Sequence, residues 1–319
     1  IVGKTNKHGT SLDYKMGQAR DLAVHKRGNP NMTGDTVRRR FLSVFNRDRD
    51  RPFTRGSGRL DLAEAIIADA EPLVARVIVN RIWQQHFGRG LVSTPSEFGN
   101  IGDKPTHPDL LDDLTARFIR QGWSIKWLHR EILLSATWQQ ASINPEAEAA
   151  DPANHLLARM PRRRLDIESW RDSMLKVTGR LDPTLGGKST DLQAAKNSRR
   201  TIYGGINRRD LDKMLTIHDF PDPTAHSPAR NVTTTPLQQL FTLNSPFLEE
   251  QAAALASQML GQPAGRRIPY VYRRLFQRAP TGRELKLGGA YLGEADQHPD
   301  KWAHYAHALL GSNEFLFVD

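Results

Sequence analysis

The spacing of apolar residues from Arg59 onward predicts a series of helices. Apolar side chains recur every three or four residues, as on the buried face of an amphipathic helix. The predicted helices cover 60–67, 73–87, 107–121, 125–138, 166–177, 208–218, 236–244, 246–260, 266–277, 281–295 and 300–311. Thr201-Ile202-Tyr203 is the best candidate for a strand. The pattern therefore predicts a mainly α protein, an irregular multi-helix bundle with long loops.

Several predicted helix ends carry clear local signals. Gly88 follows an apolar run, which is typical of a helix C-terminus. Thr106 and Ser124 each precede an apolar run as N-cap residues do. Thr281 followed by Glu284 has the spacing of a capping box, in which the two side chains bond each other's backbone amides. These signals fix helix boundaries independently of the apolar pattern.

Turn-forming clusters divide the chain into an arm and two helical blocks. Residues 1–58 contain clusters of Gly, Pro and Asn, and we expect them to form an extended basic N-terminal arm. The apolar residues of segment 41–45 are predicted to dock this arm on the body. A connector over 144–154 separates a first helical block, 59–143, from a second, 144–319, which is expected to pack on the first.

Composition removes several classes of protein. The chain has 319 residues, a net charge of +10 and no cysteine, which excludes disulfides, Cys-ligated zinc and covalent c-type haem in this segment. No apolar run approaches the roughly 20 residues of a membrane span. Residues 1–60 hold 14 basic and 5 acidic side chains, against 31 and 30 in the rest. Because the body is nearly neutral, nucleic acid is not an expected partner, although the arm could bind a polyanion.

One loop combines histidine and aspartate densely enough to suggest chemistry. His218, Asp222 and His226 could ligate a divalent metal, and Asp219 could instead orient His218 as a general base. In the alternative interpretation His218 binds the carbonyl groups of a helix end, and Asp222 before Pro223 forms a turn. Both interpretations remain open, because the spacing matches no defined type of site.

Histidines also occur on successive helices, at His86, His107 and His129. If those helix ends converge, His86 and His129 are candidates for a proton-transfer site or a bis-imidazole pocket. The alternative is that each histidine caps a helix or makes an interhelical hydrogen bond. The chain has no Gly-rich phosphate loop, Gly-x-Ser-x-Gly elbow or His-Glu-x-x-His motif. Whether the protein is an enzyme therefore stays open.

Clustered arginines suggest binding of an acidic ligand. Arginine binds carboxylate and related anions through paired hydrogen bonds, so the arginines could hold an anionic polysaccharide on which an aromatic ring stacks. The predicted substrate-binding residues are Arg89, Arg164, Arg200, Tyr203 and Arg230. The alternative is that these arginines pair internally with acidic residues in the same segments.

A set of ordered motifs covers nearly the whole chain. They are Arg27-Gly28-Asn29-Pro30-Asn31, Asn80-Arg81-Ile82-Trp83-Gln84-Gln85-His86-Phe87-Gly88, Thr106-His107-Pro108-Asp109, Trp127-Leu128-His129-Arg130, Arg162-Arg163-Arg164-Leu165, Phe220-Pro221-Asp222-Pro223, Asn231-Val232-Thr233-Thr234-Thr235-Pro236-Leu237-Gln238, Leu243-Asn244-Ser245-Pro246 and Ser312-Asn313-Glu314-Phe315. Together they resemble the planctomycete conserved C-terminal domain called Domain of Unknown Function 1553.

The resemblance implies a context rather than a reaction. Members typically form the C-terminal part of large exported proteins, commonly after a cytochrome c module, which implies the periplasm or the cell surface. A start at Ile1 without a targeting signal fits removal of an upstream part. The expected function is therefore docking or substrate binding in redox or polysaccharide-related processing. Its partners would be the upstream domains or their processed fragment, with any c-type haem on an upstream module.

Two alternatives to this expected function remain. The first is a metal-assisted hydrolase or oxidoreductase that uses the His218–His226 loop and a divalent metal. The second is a polyanion-binding protein that uses the basic arm.

Overall fold

The computed structural model describes residues 2–5, 12–15, 19–45, 51–194, 196–293 and 300–318, and within these the chain forms thirteen α-helices. The helices are α1 (Arg59–Asp69), α2 (Glu71–Phe87), α3 (Pro108–Arg120), α4 (Ile125–Leu133), α5 (Pro145–Ala150), α6 (Ile167–Val177), α7 (Lys213–Ile217), α8 (Pro236–Asn244), α9 (Pro246–Leu260), α10 (Arg267–Phe276), α11 (Gly282–Leu292), α12 (Asp300–Leu310) and α13 (Asn313–Leu316). The strands are β1 (Val2–Thr5), β2 (Leu12–Lys15), β3 (Leu22–His25), β4 (Thr33–Val37), β5 (Arg163–Arg164) and β6 (Phe317–Val318). The predicted mainly α class is confirmed.

The N-terminal arm contains short antiparallel pairs of strands. β1 pairs with β2, and β3 pairs with β4 through a connection over 26–32 that begins with a 3-10 turn. After this second pair, Phe41 is buried and packs against Ala65 and Ala70, with Phe45 partly buried beside them. The predicted docking of segment 41–45 is therefore confirmed through its two phenylalanines, while its other apolar side chains are exposed.

Basic residues of the arm are paired within the chain. The described pairs are Arg39–Asp21 at 2.9 Å, Arg51–Asp69 at 3.0 Å, Arg55–Asp61 at 2.6 Å and Arg55–Glu64. Arg47 and Arg49 lie outside the described residues. The polyanion-binding alternative would need these arginine side chains to contact its ligand, and the ion pairs already engage them. Polyanion binding by the arm stays a prediction.

The chain divides into two compact units, Ile1–Leu134 and Ser135–Asp319. In the first unit α2, α3 and α4 pack against one another. α2 ends where its sequence predicts, at a left-handed Gly88 with a φ of 77°. Ser124 caps α4 as predicted, accepting a hydrogen bond from the amide of Trp127. The predicted packing of the second helical block on the first stays a prediction.

Two predicted boundaries in the first unit are wrong. The N-cap of α3 is His107. Thr106 instead contacts the preceding loop, where its amide donates to the carbonyl of Leu91 at 2.9 Å. α4 ends at Leu133, because Ser135 begins a new turn in which its hydroxyl accepts from a backbone amide three residues on.

A buried asparagine fixes the loop after α2. Asn80 is fully buried, its Nδ2 donates to the carbonyl of Val92 at 3.0 Å, and its Oδ1 accepts from the Val92 amide at 2.8 Å. A side-chain amide thus satisfies both backbone groups of one residue, as a neighbouring strand would. This pair of bonds holds the 88–92 loop against α2.

The second unit is built around α9, which contacts α12, α10, α8 and α6. α12 contributes Trp302, Ala306 and Leu310, which lie four residues apart on one buried face. α9 contributes the buried Leu248 and Leu255 among others. The opposite face of α12 is exposed, and this exposed face bears on the site described below.

Local side-chain bonds overturn two further predictions. Thr201–Tyr203 forms a 3-10 turn instead of a strand. Its curl follows from Asp172, whose Oδ1 accepts hydrogen bonds from both the amide and the hydroxyl of Thr201 at 2.7 Å. The helix predicted over 208–218 is reduced to α7, because Asp212 caps it at its first turn. The capping box of Thr281 and Glu284 is present as predicted.

The pairing of β5 with β6 joins two remote parts of the chain. Arg164 lies opposite Phe317, and the amide of Leu165 donates to the carbonyl of Leu316 at 2.8 Å. Neither strand has more than two residues. This short ladder places Arg164 beside the C-terminal segment.

Candidate functional site

A concave pocket in the second unit contains one of the predicted binding residues. We call it the Arg164 pocket, and its volume is about 520 Å³. Its lining residues are Arg164, Thr234, Gln238, Gln239, Thr242, Leu243, Gly311, Asn313, Leu316 and Phe317. Arg164 is the one charged side chain among these lining residues. The pocket therefore presents a cation among amides, hydroxyls and apolar side chains.

The guanidinium of Arg164 is only partly engaged by the protein. Its Nη1 donates to Oε1 of Gln238 at 3.0 Å and to the carbonyl of Thr233. Its Nε and Nη2 make no hydrogen bond to any described residue, and neither atom is buried. The Nε–Nη2 edge is one of the two forks through which arginine binds a carboxylate with paired hydrogen bonds. Arg164 is thus oriented by one nitrogen and leaves a binding edge available.

Asp219 makes hydrogen bonds to the residues that contact Arg164. Its carboxylate accepts hydrogen bonds from the amide and hydroxyl of Thr233 at 2.9 and 2.8 Å, and from Nε2 of Gln238 at 3.2 Å. Burial raises the pKa of Asp219, but these bonds and the charge of Arg164 outweigh it, so the pKa is lowered overall. Its carboxylate oxygens are engaged by these bonds, so Asp219 positions the residues that hold Arg164.

We expect Asp219→Asn to destabilise the second unit near neutral pH by about 1–2 kcal/mol. The residue has a φ of 60°, which asparagine tolerates, but the new amide N–H group has to face the donors of Thr233 or Gln238. Because the folded pKa is depressed, the carboxylate contributes its full stability above the unfolded pKa of about 3.9, and this contribution is lost as pH falls through the folded value. Urea unfolding at several pH values measures the effect. A difference between wild type and variant that is the same in acid as at neutral pH contradicts the prediction.

His218 is buried beside this cluster and bonds the backbone of its own helix, while its role as a general base oriented by Asp219 stays a prediction. It is buried between Trp170 and Phe241, with ring centroids 5.5 and 4.8 Å away. Its Nδ1 donates to the carbonyl of Met214 at 2.8 Å, as expected if His218 binds the end of a helix. Burial lowers the pKa of His218, so its neutral form is favoured.

The proposed metal ligands are not gathered by the structure. Oδ1 of Asp222 accepts from the amide and hydroxyl of Thr224 at 2.8 and 2.7 Å, which is the turn of the alternative interpretation. His226 is exposed in the same loop. Among the described residues, no group of three or more His, Asp or Glu side chains could hold a metal ion. The metal hypothesis for His218, Asp222 and His226 stays a prediction without support from this geometry.

Arg230 is committed to an internal partner. Its two terminal nitrogens donate to the two carboxylate oxygens of Glu168 at 2.7 and 2.6 Å, and its guanidinium lies 5.2 Å from the ring centre of Phe220. The bond to Glu168 raises the pKa of Arg230. This pair ties the loop before α8 to α6, which agrees with the alternative of internal pairing.

A second concavity adjoins the Arg164 pocket and contains Arg200. We call it the Arg200 groove, and its volume is about 810 Å³. Phe317 lines both concavities. Nε of Arg200 lies 3.5 Å from a carboxylate oxygen of Asp172, and Lys176 and Glu314 also line the groove. The groove therefore carries charges of both signs.

The loop that carries Arg200 is held by a buried arginine. Arg171 is 1% exposed, and its Nη1 donates to the carbonyl of Arg199 at 2.9 Å and the hydroxyl of Thr201 at 3.1 Å. Its Nη2 donates to the carbonyl of Asn197 at 2.6 Å. Burial lowers the pKa of Arg171, although guanidinium remains charged in proteins. Arg171 is thus a positioning residue for one wall of the groove.

Tyr203 lines neither concavity. Its hydroxyl accepts from the amide of Gly186 at 2.9 Å, and the guanidinium of Arg199 lies 4.4 Å from its ring centre. These contacts connect the loop around Gly186 to the turn that contains Tyr203.

The first unit brings two predicted histidines together. Nε2 of His86 lies 2.7 Å from Nδ1 of His129, and both rings are half-buried. One imidazole has to donate and the other to accept, so the pair can pass a proton between α2 and α4. His107 instead lies 3.0 Å from the hydroxyl of Thr106, and Arg89 is exposed just beyond α2. A catalytic role for His86 and His129 stays a prediction.

Sequence reasoning missed two contributors to the Arg164 pocket. Gln238 is buried and joins Arg164 to Asp219, yet its sequence signals were only its place in a family motif and its position three residues after Thr235, in a capping box that the structure contains. Asn313 was a position of a family motif, but no sequence signal indicates that its segment reaches the pocket.

The fold and the site define a mainly α protein whose second unit carries an arginine-lined pocket. A family model described as a protein of unknown function, DUF1553, matches residues 58–292. The chain belongs to this family, as its motifs predicted. No curated protein and no solved structure gives a significant match. In the described part of the chain, no helix has both the length and the apolar character needed to cross a membrane.

Proposed function

We propose that this chain is a binding module for an acidic glycan, a carbohydrate that carries carboxylate or sulfate groups. The observation that carries the proposal is the available Nε–Nη2 edge of Arg164 in a pocket whose lining contains no acidic residue. An anion placed there gains paired, charge-assisted hydrogen bonds without displacing an internal carboxylate.

The remaining lining matches a sugar better than a simple anion. Thr234, Gln239 and Asn313 offer hydroxyl and amide groups that can exchange hydrogen bonds with sugar hydroxyls. Leu243 and Phe317 offer an apolar wall for the C–H face of a sugar ring. A ligand that combines an anionic group, hydroxyls and an apolar face uses all three parts of the lining.

The proposed setting follows from the family resemblance. The module would be the C-terminal part of an extracytoplasmic protein and would bring a glycan to chemistry performed by upstream domains. Because this chain contains no cysteine, a covalent c-type haem would have to be carried by such an upstream domain.

Calorimetric titration of the whole chain tests the proposal with a polyuronate, a sulfated galactan and neutral dextran. We expect binding of an acidic polymer and none of dextran. Arg164→Lys keeps the charge but loses the paired geometry, so we expect affinity to fall about tenfold or more, and Arg164→Gln to remove binding. Arg208→Gln, which removes an exposed arginine outside both concavities, is the matched control and should bind as wild type does.

Equal binding of dextran, or wild-type affinity in Arg164→Gln, would overturn the proposal. Thermal unfolding of each variant distinguishes lost binding from lost structure. Because Arg164→Lys can still donate to the partners of Nη1, it remains informative if Arg164→Gln unfolds.

A further inference from the structure

We infer that the bound glycan is an oligomer, whose chain runs from the Arg164 pocket along α12 to a second pocket lined by tyrosines. This inference rests on the proposed function and adds to it the length of the ligand and a second subsite. It follows from the chemistry of the second pocket and from the surface that joins the two.

The second pocket, which we call the tyrosine pocket, has a volume of about 310 Å³ between α10, α11 and α12. Its aromatic lining consists of Tyr272, Tyr291 and Tyr305. The rings of Tyr291 and Tyr305 lie nearly parallel, 6.3 Å apart, and Tyr291 is 45% exposed. An exposed tyrosine ring at the mouth of a pocket presents both an apolar face and a polar hydroxyl.

The electrostatics of the tyrosine pocket favour a neutral sugar residue. Its one acidic lining residue, Glu284, accepts hydrogen bonds from both terminal nitrogens of Arg278 at 2.9 and 2.7 Å. Burial raises the pKa of Tyr272 and of Tyr305, so both hydroxyls are neutral at physiological pH. With its carboxylate compensated, the pocket supplies stacking and hydroxyl contacts rather than charge.

An exposed stripe of α12 connects the two pockets. His304 and Ala308 line the tyrosine pocket, and Gly311, directly after α12, lines the Arg164 pocket. Positions separated by four and seven residues share a helix face, and seven residues of helix rise about 10 Å. All three residues are exposed.

The middle of this stripe carries only small groups. Ala308 carries only a methyl group and Gly311 carries no side chain, so in the described part of the chain the stripe itself bears no bulky side chain between His304 and Gly311. A chain anchored by an acidic sugar at Arg164 can therefore follow α12 and stack a later residue on Tyr291. A single sugar reaches only one of these subsites.

The experiment measures affinity against ligand length, using a single uronic acid and a series of oligomers in which neutral sugars extend from that uronic acid. For the wild-type chain we expect affinity to rise about tenfold or more once the oligomer reaches the tyrosine pocket. Tyr291→Ala removes the stacking ring, and Ala308→Trp blocks the stripe. Both should abolish this rise while leaving the affinity for the single uronic acid unchanged.

Leu285→Ala is the matched control, since it removes an exposed apolar side chain of α11 outside both pockets. It should keep the wild-type dependence on length. An affinity that depends on Arg164 but not on length, or a rise that persists in Tyr291→Ala, overturns the oligomer inference and leaves the proposed function standing. Acidic sugars of every length that bind independently of Arg164 overturn both.

Discussion

Replacing Arg171 by methionine is expected to lower the free energy of unfolding of the second unit by about 3 kcal/mol. Methionine fills much of the volume but leaves the carbonyl groups of Asn197 and Arg199 and the hydroxyl of Thr201 without their donors. A buried acceptor that loses its donor costs about 1–3 kcal/mol. Removing the buried charge offsets only part of this loss, because three acceptors lose their donor at once.

Urea unfolding monitored by tryptophan fluorescence measures this cost. Arg180→Met is the matched control, because Arg180 pairs with Glu250 at a partly exposed site, where an ion pair contributes no more than about 1 kcal/mol. If Arg171→Met unfolds at the same urea concentration as Arg180→Met, the buried arginine does not hold the 197–201 loop. The Arg200 groove should also lose its shape in Arg171→Met, since Arg200 follows two of the bonded residues.

Replacing Asn80 by alanine is expected to destabilise the first unit by about 3 kcal/mol. The variant leaves the amide and the carbonyl of Val92 without partners in a buried loop and opens a small cavity beside α2. The 88–92 loop should then become mobile. Hydrogen exchange at the Val92 amide, together with urea unfolding, measures both effects.

Asn100→Ala provides the comparison for Asn80→Ala, since Asn100 is exposed in a neighbouring turn. It should change stability by less than about 0.5 kcal/mol. If the Val92 amide of Asn80→Ala exchanges as slowly as it does in the wild type, other contacts hold the loop.

The helices could be predicted because their signals are local. Gly88, Ser124 and the Thr281–Glu284 box act within one helical turn, and all three function as their sequences indicate. The wrong predictions concern short elements whose conformation depends on a residue that is distant in the sequence. Thr201–Tyr203 has residues that favour a strand, yet Asp172 of α6 holds it in a turn.

The site was only partly accessible from the sequence. The composition of the motif identified Arg164 as a binding candidate alongside Arg200 and Arg230. What distinguishes Arg164 from Arg230 is which guanidinium nitrogens are already bonded: both terminal nitrogens of Arg230 donate to Glu168, whereas Arg164 keeps its Nε–Nη2 edge available. That difference depends on tertiary contacts among residues 164, 168 and 230–238, which no periodicity encodes.

The Arg164 pocket is complete only once β5 has paired with β6. Arg164 and Phe317 are about 150 residues apart in the chain, so the pocket wall is completed only after the C-terminal segment has been synthesised and has added its two-residue strand. A nascent chain that stops short of Phe317 should present Arg164 without its wall. A ligand bound in the pocket should in turn stabilise the pairing of β5 with β6, because it binds only the state in which the wall is complete.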